Sequence, residues 1–150
     1  MAALSTKGSV MIKFEISDDI MFAKKMVREN MASYYKQYDI KWNDDLFDQS
    51  WSEFDNFQIF RGNIKVGVLR LCRELSDLYI RDLQISQTFQ NQGIGTNAVE
   101  YARTLAESEG IKFVKLRVFE SNPAKELYER LGFIVSNHEG HVVSMELEIA

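Results

Sequence analysis

Cysteine, proline and glycine are scarce in this chain: one Cys, one Pro and eight Gly among 150 residues. The lone thiol, Cys72, cannot close a disulfide within the chain, so a reducing, cytoplasmic setting is the expectation. So little proline and glycine excludes collagen-like and low-complexity chains. No run of 18 apolar residues occurs, and no membrane-spanning helix is expected. Cationic excess is missing too. Lys plus Arg is 18 against 22 Asp plus Glu, a net −4, which argues against a nucleic-acid binder. The C-x-x-C pattern of thiolate metal sites is absent, and no metal is expected.

What is present is a core. Hydrophobic residues make up 45%, enough for one packed domain of common size. Residues 1–10 lack both patterning and the apolar stretch of a signal peptide. They are expected to be a flexible leader, with a single domain over 11–150.

Met11–Ile16 reads as a strand. Ser17 offers an N-cap, and Ile20, Ala23, Val27, Met31 and Tyr34 follow at helical spacing to about Tyr35. Asn43–Trp51 reads as a short acidic and aromatic helix. The period then becomes two: Phe57–Phe60, Lys65–Cys72 and Leu78–Ile85 read as strands. Gln92–Glu109 is helical and Phe113–Phe119 is a strand. Asn122-Pro123 opens a further helix that Gly132 ends, and Phe133–Val135 and Val142–Ile149 are final strands. The order β-α-α-β-β-β-α-β-α-β-β mixes hairpins with crossovers. It implies an α/β fold: a mixed, mostly antiparallel sheet with helices on both faces. The two last strands could leave an edge, so monomer and homodimer both stay open.

The chemistry-bearing segment is Leu83 to Thr96. A strand runs into a turn holding Gly93 and Gly95, and the turn runs into a long helix. Unpaired N–H groups at a helix start, with the dipole behind them, suit a phosphate. Gly93-Ile94-Gly95-Thr96-Asn97-Ala98 fits G-x-G-x-x-A, the dinucleotide fingerprint. That fingerprint wants its first glycine directly after the strand, and here Ser86 to Gln92 intervene. A glycine-bearing turn with no ligand is the bland alternative.

Two motifs carry a family resemblance. Gln90-Asn91-Gln92-Gly93-Ile94-Gly95 is similar to the Q/R-x-x-G-x-G/A signature of the GNAT superfamily of acetyl-CoA-dependent N-acetyltransferases. Asn122 to Phe133 resembles that family's N-x-x-A-x-x-x-Y-x-x-x-G-F. The element order from Met11 to Ile149 fits the acyl-CoA N-acyltransferase fold as well.

The resemblance implies that main-chain N–H groups of Gln90, Asn91, Gln92, Gly93, Ile94, Gly95 and Thr96 bind the pyrophosphate of acetyl-CoA. Charge-assisted hydrogen bonds contribute roughly 1.5–3 kcal/mol each, and micromolar affinity needs about 8 kcal/mol, so no basic patch is required. It places Leu83, Gln84 and Ile85 along the pantetheine arm, like an added strand. Asn122 is expected near that arm, or as a helix N-cap. Tyr128 is expected near the CoA sulfur, where a phenol can donate its proton to a departing thiolate; a core aromatic is the alternative. The partners implied are acetyl-CoA and an amine acceptor, with no nucleic acid and no membrane. A non-catalytic or regulatory acyl-CoA-binding module is the alternative function.

A general base is harder to place. A lysine-type amine costs roughly 4.6 kcal/mol to deprotonate at pH 7, an α-amine about 1–1.5 kcal/mol. The family's ribosomal-protein N-terminal branch carries a glutamate where this chain has Arg117, and its histone-type branch one near Tyr79. Neither is present. Glu120, Asp82, His141 and ordered water remain, with Glu120 named as the catalytic candidate beside Asn122. The acidic Trp42–Asp55 segment falls where the family's variable helices line the acceptor site. It would favour a cationic amine, or else it is a solvated face anchored by Trp42 and Trp51.

Overall fold

The structure, a computed structural model, describes residues 3–7 and 10–149. Among the described residues, eight strands form one sheet: β1 Ala3–Lys7, β2 Val10–Ile16, β3 Asp55–Arg61, β4 Ile64–Glu74, β5 Asp77–Ile85, β6 Phe113–Phe119, β7 Ile134–Glu139 and β8 Val142–Glu148. Their order across the sheet is β1-β2-β3-β4-β5-β6-β8-β7. Every pairing is antiparallel except β5 with β6, which is parallel. Four helices are interleaved: α1 Ile20–Gln37, α2 Asp44–Glu53, α3 Ile94–Ser108 and α4 Ala124–Arg130. The mixed α/β architecture and the element order expected from Met11 onward are both present.

The sequence reading has no strand before Met11. Ala3–Lys7 nevertheless pairs with β2, from Ala3 opposite Phe14 to Lys7 opposite Val10, and occupies an edge β2 would otherwise expose. Of the segment read as a leader, residues 1, 2, 8 and 9 lie outside the described residues.

β4 separates the two layers, its alternation interrupted at Val66, which the register with β3 skips between Lys65 and Gly67. Val66, Leu69 and Leu71 face a core shared with Val99 and Ala102 of α3 and with Tyr128 of α4. Val68 faces a second core with Ala23 and Val27 of α1 and Phe47 of α2. Helices therefore cover both faces. The start of α1 differs from expectation. Asp19, not Ser17, is its N-cap and accepts from the Phe22 N–H at 3.1 Å, while the Ser17 hydroxyl accepts from the Asp19 N–H at 3.0 Å. Ser17 thus turns the chain out of β2 and Asp19 starts the helix.

Gly67 is explained by crowding. A Cβ built there would lie 2.4 Å from the Gln84 carbonyl oxygen. The Gly67 carbonyl also accepts from Nε2 of the buried Gln58 at 2.7 Å.

Two features of β5 position the site. It pairs with β6 only over Leu78 to Ile80, opposite Val114 to Leu116, and then the strands part. Its register against β4 shifts at Arg81: Leu71 faces Ile80, and Arg70 faces Asp82. That extra residue is a β-bulge.

Candidate active site

Beyond Ile85 the chain makes a single 3-10 turn over Gln87–Phe89 and then enters α3. Asn91 and Gly93 both adopt left-handed backbone, with φ of 63° and 83°. Such residues close together curl successive N–H groups toward one point, an anion-binding concavity. Gly93 is the N-cap of α3 and supplies no side-chain cap, so side chains leave the helix's leading N–H groups open. Flanking side chains hold the turn. Gln90 Nε2 donates to the Ile85 carbonyl at 3.0 Å, and Arg61 Nη1 donates to Gln92 Oε1 at 2.8 Å. Gly95 has a packing reason as well: a Cβ there would lie 3.1 Å from Leu127 Cδ2 of α4.

The parting of β5 and β6 opens a cleft of about 1040 Å³ between the α1 side and α3/α4. Leu83, Gln84, Ile85, Gln90, Asn91, Gly93, Ile94, Gly95, Thr96, Asn122 and Tyr128 all line it. Gln92 and Glu120 do not. Gln92 turns to Arg61. Glu120 is exposed and lies 3.3 Å from His138 Nε2. The two histidines share an H-x-x-H spacing across the β7–β8 turn but separate in space: His138 meets Glu120, while His141 stacks on Tyr38 at 4.1 Å and lines the cleft.

Tyr128 sits on α4, buried and packed on Phe133. Burial pushes its phenol well above the usual tyrosine value, and the Asp82 carboxylate adds to the push. Asn122 Oδ1 accepts from the Ala124 N–H at 2.9 Å and so caps α4. The cap uses the oxygen, and the amide nitrogen keeps its donors. At the α1 end, Asn30 Nδ2 donates to the Ile85 carbonyl at 2.9 Å and ties α1 to the end of β5. Phe119 stacks with Tyr34 and Tyr38 there.

The acidic segment is not part of the cleft. Lys24 pairs with Asp44 at 3.1 Å and Asp48 at 2.6 Å, Arg73 pairs with Asp55, and no α2 residue lines the cleft. What α2 does is hold Arg70. That guanidinium is 2% exposed and lies over the Phe47 ring at 4.2 Å and the Phe54 ring at 4.9 Å. It donates to Ser50 Oγ at 2.6 Å, Asn56 Oδ1 at 2.9 Å and Asp82 Oδ2 at 2.9 Å. Arg70 went unnoticed in the sequence. A charged residue mid-strand among Val66, Val68, Leu69 and Leu71 is the signal that could have flagged it.

A strand-turn-helix concavity thus opens into a cleft between splayed parallel strands, with a tyrosine in its wall. The chain belongs to the Acetyltransferase (GNAT) family, whose sequence model matches residues 23–133. The fold is shared with solved structures. The PaiA N-acetyltransferase from Thermoplasma acidophilum, in complex with coenzyme A, is 17% identical with TM-score 0.71, covering 91% of this chain and 98% of that one. The ribosomal-protein-S18-alanine N-acetyltransferase from Escherichia coli is 20% identical with TM-score 0.69, covering 100% and 95%. A GNAT family acetyltransferase from Elizabethkingia anophelis with acetyl-CoA bound is 16% identical with TM-score 0.66, covering 99% and 97%.

Proposed function

We propose that the chain transfers acetyl from acetyl-CoA to a primary amine by direct attack within a ternary complex. The observation that carries this is one continuous cleft, with the Asn91–Gly93 concavity at one end and Tyr128 in its wall. The residues present fit a CoA thioester. Two left-handed residues and an uncapped helix start suit the pyrophosphate. The β5 edge at Leu83–Ile85, which β6 has left, offers backbone to an extended arm, apart from the Ile85 carbonyl, which Asn30 and Gln90 already hold. Acetyl-CoA supplies an activated acyl group and a thiolate leaving group.

The residues then divide the work. Main-chain groups of Gln90 to Thr96 fix the phosphates, and Asn122 donates toward the arm. Tyr128 carries its proton throughout the working pH range, because burial disfavours the phenolate. It gives that proton to the sulfur as the carbon–sulfur bond breaks. The acceptor enters from the α1 side, beside Tyr34, Phe119 and His141. Glu120 is exposed, lies outside the cleft beside His138, and takes no part in this reading.

Thiol release from acetyl-CoA over a panel of small amines and peptide N-termini tests the reading. Acceptor-dependent release supports it. Tight acetyl-CoA binding with no release across the panel favours the regulatory-module alternative.

A further inference from the structure

We propose that Asp82 is the catalytic base that takes the acceptor amine's proton, and that Arg70 is the positioning residue that aims it. The proposal rests on the acetyl-transfer reading above. Strict alternation would put Asp82 on the face of Leu78 and Ile80, inside the α3/α4 core. The Arg81 bulge moves it to the Arg70 face, where β5 has just left β6 and the cleft opens. A bulge that re-aims one side chain beside a site is a known use of the device.

The neighbours of Asp82 come from every element around it. They are Arg70 on β4, Arg81 and Gln84 on β5, Tyr35 on α1 and Tyr128 on α4. Arg117 of β6 also lines the cleft. Arg81 is spent on Glu74 and on Cys72 Sγ. Arg70 engages Oδ2, and the Gln84 side chain also hydrogen-bonds the carboxylate; Gln84 lines the cleft and is the partner an entering amine displaces. Arg70 in turn cannot swing, because Ser50, Asn56 and the Phe47 and Phe54 rings fix it. Burial pushes the Asp82 carboxyl up against the opposing pull of Arg70, which makes it a better proton acceptor than a solvated carboxylate. Glu126, the other carboxylate that lines the cleft, is exposed on α4.

The proton balance closes. Asp82 takes one proton from the ammonium, and the freed nitrogen pair forms the carbon–nitrogen bond. The carbon–sulfur pair departs on sulfur and receives the Tyr128 proton. The nitrogen's second proton, acidified as the bond forms, restores Tyr128 through cleft solvent. Asp82 returns its proton to water, so one proton is released per turnover.

Two arms test this. The first compares n-butylamine, charged at pH 7, with hydroxylamine, neutral at pH 7, as acceptors in thiol release. Asp82→Asn should lower kcat/KM with n-butylamine by about 100-fold or more and lower it far less with hydroxylamine, which arrives already neutral. Asp82→Glu should recover part of the n-butylamine rate. Equal losses with both acceptors, or no loss with n-butylamine, would overturn the proposal. The second arm needs no acceptor: a 13C carboxyl titration of Asp82, assigned with Asp82→Asn, in the CoA complex. A midpoint above the ordinary aspartate value supports the proposal, and one at or below it overturns it. Calorimetry with CoA separates the two readings. Binding by wild type and Asp82→Asn alike, with either failed arm, removes only the base, whereas no CoA binding by wild type removes the acetyl-transfer reading.

Discussion

Arg70 Nη1 lies 2.9 Å from Asp82 Oδ2, and this buried pair joins the α2 side of the protein to the cleft. Arg70→Met removes the cation and strands the carboxylate. Breaking a buried pair from one side costs about 3–5 kcal/mol. Asp82 has a raised folded-state pKa, so the stability linked to its protonated form is full below the ordinary value and lost as pH rises through the folded value. Without Arg70 that folded value climbs further. Urea unfolding over a pH series should therefore show a loss for Arg70→Met that deepens toward neutral pH.

Tyr128→Phe keeps the ring packed on Phe133 and removes only the hydroxyl. Turnover should fall by roughly 10²–10⁴, with acetyl-CoA affinity unchanged by calorimetry. An unchanged rate would assign Tyr128 to packing.

Asp19→Ala deletes the α1 cap and should cost about 1 kcal/mol in chemical denaturation. The Phe22 N–H and Lys65 hold the Asp19 carboxyl below the usual range. Its stabilisation is therefore present above the ordinary value and lost as pH falls through the folded value. The gap between wild type and Asp19→Ala should close in acid.

Gly67→Ala forces a Cβ into the Gln84 carbonyl. Overpacking of this kind costs roughly 1–3 kcal/mol. Because Gln84 belongs to the cleft wall, weaker acetyl-CoA binding should accompany the stability loss.

Periodicity made most of the architecture legible. Ile94, Ala98 and Ala102 mark α3 at helical spacing, and Phe113–Phe119 was bounded as observed, because each element's buried face sets its own period. The two motifs likewise lie on one cleft wall, since both are local segments at helix starts. What the sequence did not reveal depends on pairing. Arg70 meets Asp82 only through strand register, and the Arg81 bulge reverses the face that alternation assigns to Asp82. Glu120 looked well placed beside Asn122, yet the turn into α4 directs it to His138. Of the two readings of the acidic segment, acceptor contact or solvated face, the cleft excludes the first: Asp44 and Asp48 both pair with Lys24. Pairing partners twelve residues or more away leave no local trace.

The central claim is that acetyl-CoA occupies the cleft through the Asn91–Gly93 turn, and calorimetric titration with acetyl-CoA tests it most directly. Wild type should bind with micromolar affinity, one molecule per chain. Gly93→Ala, which strains a φ of 83° by roughly 1–2 kcal/mol, should bind about tenfold more weakly. No measurable binding of acetyl-CoA or CoA, or equal affinity in the two proteins, would contradict it.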